Sequence, residues 1–94
     1  MGENKPLKLK LFVSTYSVTS TRAIRNLTAL MDECFPLNYQ LDIIDVKEQP
    51  LLVISENITA LPLLIKTAPE PRKQMIGDMS DRLKVLAGLQ VSVN

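Results

Sequence analysis

Hydrophobic and polar residues alternate along the opening of the chain, with Leu7, Leu9, Leu11 and Val13 on one face and Lys8 and Lys10 on the other. Period-two alternation of this kind predicts a strand over residues 7–14. The stretch Ser14-Thr15-Tyr16-Ser17-Val18-Thr19-Ser20 reads as a loop whose hydroxyls can cap a following helix. Ala23, Leu27, Leu30 and Cys34 then recur at helical spacing, flanked by Ile24 and Met31, with Arg22, Arg25, Asn26 and Asp32 on the polar face. That predicts an amphipathic helix ending before Pro36. Residues 39–46, from Tyr39 to Val46, form a second strand. A strand, a helix and a strand joined by short links make a right-handed crossover with parallel strands.

The second half carries two periods at once. Pro50 suits the first turn of a helix, and Leu51, Ile54 and Ile58 would then share a face. Val53 and Ile54 are β-branched, however, and the run Leu51-Leu52-Val53-Ile54 reads equally as a short strand. Leu63-Leu64-Ile65-Lys66 predicts a strand, Pro69-Glu70-Pro71 breaks it, and Arg72 to Ile76 can pair back as an antiparallel hairpin. Ser80 stands where an N-cap would precede Leu83 and Leu86. Leu83, Leu86 and Ala87 fit a helix, yet Val85, Ala87, Leu89, Val91 and Val93 fit a strand. Short apolar runs are ambiguous by periodicity alone. The other reading is that this half adopts two packings close in free energy. Taken as helix, strand, strand and helix, it gives the α/β order βαβαββα of a thioredoxin-like domain, with Pro62 at the place before the third strand where a cis bond is common.

Length and composition narrow the picture. Ninety-four residues close about one hydrophobic core, so residues 1–94 are expected to be a single domain. With 46% hydrophobic and 22% charged residues, the chain has globular composition, which excludes disorder. It has no histidine, so neither a Ser-His-Asp nor a Cys-His pair nor a His-ligated metal can be built. Its single cysteine, Cys34, excludes an internal disulfide and a Cys-x-x-Cys redox pair. The loop that carries the thiols of thioredoxins has only hydroxyls and Tyr16, so dithiol exchange is out. Cys34 lies on the apolar stripe of the first helix and reads as a small core residue, with a reactive thiol as the alternative. Asp42 and Asp45 are three apart on a strand and face opposite sides, poor geometry for an acid–base pair. No cofactor is implied.

A net charge of +1 argues against nucleic-acid binding. Lys5, Lys8 and Lys10 cluster, but they alternate with leucines and read as a solvated strand face. No apolar run approaches the ~20 residues of a membrane span. Lysines interrupt the apolar stretches before Leu11, which is unlike a signal peptide. The expectation is a cytoplasmic protein.

Lys10-Leu11-Phe12-Val13, Thr21-Arg22-Ala23-Ile24, Ile44-Asp45-Val46, Ala60-Leu61-Pro62 and above all the stretch from Ile76 to Leu89, Ile-Gly-Asp-Met-Ser-Asp-Arg-Leu-Lys-Val-Leu-Ala-Gly-Leu, resemble the KaiB family of circadian clock proteins. The resemblance runs without gaps from Lys8 to Val91. It implies a non-enzymatic regulator that forms homodimers or homotetramers in one packing, βαββααβ, and remodels its C-terminal half into a thioredoxin-like monomer. That monomer docks on the ring ATPase KaiC, competes with a histidine kinase and captures KaiA. It implies partner contacts at Arg22, Asn57, Lys66, Lys73 and Arg82, and it places Pro62, Pro71 and Gly88 as candidates for the fold switch or a cis bond. Several positions depart from the family pattern: Leu61 for threonine, Glu70 between the prolines, Lys73-Gln74 for paired arginines with Arg72 just before, Asn57 for a basic residue and Gln90 for aspartate. Relatives without KaiA imply a simpler timer or stress adaptation. The second reading is therefore a thioredoxin-like stress protein that does not bind KaiC, using Cys34 for mixed-disulfide chemistry.

Overall fold

A computed structural model describes residues 6–90. Its elements are β1 (Leu7–Val13), α1 (Val18–Cys34), β2 (Tyr39–Asp45), α2 (Pro50–Ser55), β3 (Leu63–Ala68), β4 (Lys73–Ile76) and α3 (Arg82–Leu89). This is the expected order βαβαββα. The strands form one sheet in the order β2-β1-β3-β4. β2 runs parallel to β1, as the crossover through α1 requires, while β3 is antiparallel to β1 and β4 antiparallel to β3.

The alternation of β1 sorts its side chains to two cores. Leu7, Leu9, Leu11 and Val13 pack with Leu64 of β3, the α1 stripe Ala23, Leu27, Leu30 and Met31, and Val85 and Leu89 of α3. Phe12 points to the other face and packs with Leu63, Ile65, Leu52 and Ile58. Thus α1 and α3 cover one side of the sheet and α2 the other. The α1 entry is tied by two hydroxyls: Ser17 Oγ accepts from the Ser20 amide at 3.3 Å, and the buried Ser20 Oγ accepts from the Ser14 amide at 3.1 Å. The first bond satisfies a donor that the helix start leaves open, and the second ties the preceding loop to the helix.

The ambiguous segments resolve as helices. Pro50 sits in the first turn of α2, where its missing N–H is harmless. The expected apolar face is corrected: Leu52 and Val53 turn inward, Leu51 and Ile54 turn to solvent, and Ile58 lies beyond the helix end. At α3 the N-cap is Asp81 rather than Ser80, because the Asp81 carboxylate accepts from the Lys84 amide at 3.1 Å. Ser80 instead donates its own amide to Asp78. Val85 and Leu89 are the buried positions of α3, spaced one helical turn apart, so helical packing overrides the strand spacing there. Val91 and Val93 lie outside the described residues. Gly88 lets α3 approach β4 closely, since a Cβ at that position would collide with the Met75 methyl.

Candidate protein-docking surface

α2 is six residues long and carries no charged side chain. Its four consecutive apolar residues Leu51 to Ile54 go around the helix, and Leu51 is 80% and Ile54 75% exposed. Beside it runs a groove of about 310 Å³ lined by Val46, Val53, Ile58, Thr59, Ala60 and Leu61. Ile76, opposite Leu63 on the edge strand β4, is also exposed on this side of the sheet.

Polar groups border this apolar centre. Glu56, the C-cap of α2, accepts from Arg72 at 2.9 Å and meets Lys10 at 3.8 Å, tying the helix end to the β3–β4 hairpin and to β1. Arg72 therefore has a structural use that its position in the sequence did not disclose. Such exposed pairs contribute little stability individually. They fix where the helix end lies. Near the helix start, the Lys47 ammonium stands 4.4 Å from the centroid of the exposed Tyr16 ring.

Asn57 ends α2. Its φ is 57°, its amide donates to the Ile54 carbonyl at 3.1 Å, and the Ile58 amide donates to the Val53 carbonyl at 3.0 Å. This is the paired bonding of a Schellman stop, with asparagine in the left-handed position that glycine usually fills. Asn57→Ala is expected to lower stability by about 1 kcal/mol, because alanine has neither the local hydrogen bonding nor the freedom to adopt that backbone. Asn57→Gly should hold or raise it. Thermal melts of the three proteins measure the order, and alanine melting level with asparagine would refute the account.

The five expected partner contacts do not cluster. Asn57 belongs to the α2 surface. Arg22 and Arg82 lie in the helical layer across the sheet. Arg22 bears on Asp78, whose carboxyl is held below its ordinary range first by the Ser80 side chain and amide and then by that arginine. Arg82 binds Glu33 at 2.7 Å, and this hydrogen bond pushes its pKa up. Lys73 is half-buried on β4. Lys66, expected at the surface, is fully buried, and its Nζ donates to the Leu89 carbonyl at 2.6 Å. β3 lies between β1 and β4 with helices over this face, so the side chain has no route to solvent. A direct partner contact through Lys66 is excluded in this fold. Pro62 and Pro71 both follow cis peptide bonds, as does Pro69. Cys34 is half-buried against the larger core. Among the described residues no helix is long and apolar enough to cross a membrane.

A KaiB domain model matches residues 10–91. The chain belongs to the KaiB family. It is 41% identical over 91 residues to the circadian clock oscillator protein KaiB of Prochlorococcus marinus strain MIT 9312, covering 97% of this chain and 87% of that one. It is also 41% identical over 87 residues to the KaiB of Microcystis aeruginosa, covering 93% and 84%. Among solved structures, the N-terminal domain of Synechococcus elongatus SasA is similar, with a TM-score of 0.73, 26% identity and coverage of 96% and 89%. Mitochondrial thioredoxin 3 of Saccharomyces cerevisiae has a TM-score of 0.72 at 18% identity, covering 92% and 78%. The fold of this KaiB-family chain is thus thioredoxin-like.

Proposed function

We propose that this KaiB-family protein is a non-enzymatic cytoplasmic regulator that docks on a KaiC-like ATPase ring through the α2 surface. The observation that carries this reading is a helix without a charged side chain that keeps Leu51 and Ile54 in water beside an apolar groove. Protein interfaces bury such a centre and surround it with polar groups that set register. Here Asn57 and the Glu56–Arg72 pair supply the border. The thioredoxin-like arrangement is then the docking-competent state, and a homodimer or homotetramer in the βαββααβ packing serves as its reservoir. The apparent affinity falls in proportion to the competent fraction. Where the host has them, the docked protein would compete with a histidine kinase and capture KaiA. The role is a circadian rhythm or a simpler timing or stress response.

The test is size-exclusion chromatography of the protein with a KaiC ring and ATP after long incubation. Co-migration with the ring is the expected outcome. Separate elution at every incubation time would remove the KaiC assignment and leave the stress-adaptation role.

A further inference from the structure

The sheet has two edge strands, β2 and β4, and they differ in how they are protected. β4 is four residues long and opens on Lys73 beside Arg72. Short strands and cationic side chains are ordinary ways to keep an edge from pairing further. β2 has seven residues, Tyr39 to Asp45, and holds no lysine, proline or glycine.

The hydrogen bonds at the ends of β2 tell which of its backbone groups face outward. The Asn38 carbonyl accepts from the Leu7 amide at 3.1 Å, and the Val46 amide donates to the Val13 carbonyl at 3.0 Å. Both residues turn their backbone groups toward β1. So do Gln40, Asp42 and Ile44, because the direction alternates along a strand. Tyr39, Leu41 and Ile43 turn theirs to the open side, where no strand among the described residues meets them. This open stretch is bounded at each end. Leu37 has a φ of 60°, which an extended strand does not continue through, and the Asp45 carbonyl is occupied by the Glu48 amide at 2.9 Å. What remains runs from Tyr39 to Ile43, with Leu41 at its centre.

An edge of this kind is complementary to itself. When a second copy is turned about a twofold axis through Leu41, the two Leu41 residues stand opposite each other and Ile43 stands opposite Tyr39. Each of these pairs then exchanges N–H to C=O bonds in both directions. The side chains agree with the same register. Ile43, 46% exposed, comes against the second copy's Tyr39 ring, an aromatic and β-branched pair of the kind that stabilises adjacent strands. On the other face, the exposed Gln40 stands opposite the second copy's Asp42, amide against carboxylate, with Lys8 and Lys10 of β1 alongside. Centring the pair on Asp42 would set two carboxylates opposite each other. Centring it on Gln40 would carry Ile43 past the end of the second copy's strand.

We propose that two copies of this chain, each in the thioredoxin-like packing, pair through β2 in antiparallel register about Leu41 and join their four-stranded sheets into one. The axis stands perpendicular to the sheet, so the two α2 helices lie on the same side of the joined sheet. The pairing uses this chain alone and holds whether or not KaiC is the partner.

Sedimentation equilibrium of the full chain over a concentration series, read beside amide hydrogen exchange, tests this. A monomer–dimer equilibrium is expected. As the protein is concentrated, exchange at Tyr39, Leu41 and Ile43 should slow by more than exchange at Gln40 and Asp42, while β3, β4 and α3 keep their rates. A monomer at every concentration would overturn the proposal, as would a dimer whose formation leaves those three amides unchanged or alters the C-terminal half. Gln40→Asp changes an exposed side chain and sets carboxylates opposite each other twice in the dimer, so it should weaken association about tenfold. Adding Asp42→Asn swaps amide and carboxylate across the pair and should return the dissociation constant to within about twofold of the original. No effect of Gln40→Asp, or a double variant as weak as the single one, would overturn the register and the proposal with it. Ile54→Asp should leave the dimer intact, and its loss in that variant would overturn the proposal by placing the contact on α2.

Discussion

Phe12→Ala is expected to destabilise the protein by about 3–5 kcal/mol and to lower its melting temperature by on the order of 20 °C. Phe12 is fully buried in the central strand β1, between Ile44 of β2 and Leu63 of β3. It is the one aromatic ring of the smaller core, where its fully or nearly fully buried partners are Leu63 and Ile65. That core is what holds α2, because Leu52 and Ile58 reach the sheet through it. Removing the ring leaves a cavity in the smaller core. Against a typical total stability of about 5–15 kcal/mol, the loss is a large share. Leu51→Ala should change stability by less than about 0.5 kcal/mol, since that side chain is already in water. Thermal melts of both variants decide the matter, and equal melting points would show that the α2 core does not hold the fold.

The first half was legible because each period occurred alone. Alternation from Leu7 to Leu11 in β1 and a clean helical stripe from Ala23 to Cys34 admit one reading each, and the parallel crossover follows from them. α2 was not legible because four consecutive apolar residues carry no phase. Pro50 favoured a helix, but nothing in the run Leu51-Leu52-Val53-Ile54 says which two side chains face inward. Phe12, Leu63 and Ile65 beneath the helix take Leu52, while Val53 lines the groove. The cap at α3 was misplaced by one residue because Ser80 and Asp81 both have capping side chains, and Asp78 competes for the Ser80 amide.

The candidate site was harder to read than the fold. Expected contacts were placed by charge and resemblance, and charge alone does not say on which side of a sheet a residue stands. Lys66 follows the three consecutive buried residues Leu63, Leu64 and Ile65. A fully apolar run marks a strand covered on both faces, and a lysine continuing that run in phase is a candidate for burial. That signal was available. The outward Leu51 and Ile54 had no counterpart in the pattern, because an exposed and a buried apolar side chain look alike in a sequence.

Ile54→Asp is expected to weaken the complex with a KaiC ring by on the order of a hundredfold while leaving the melting temperature within a few degrees of the original protein. Ile54 is 75% exposed, so the change removes no packing from the free protein. In the complex, the same position would bury a carboxylate at the apolar centre of the interface, where an unpaired charge is most costly. Leu83→Asp is the matched control. It replaces an equally exposed apolar residue in α3, on the far side of the sheet, with the same charge. Binding affinity for the ring, measured at equilibrium with ATP for all three proteins, should fall for Ile54→Asp and hold for Leu83→Asp. The reverse pattern would move the docking surface to the α1–α3 layer, where Arg22 and Arg82 stand. Equal loss in both would mean that added negative charge, rather than the α2 face, governs association.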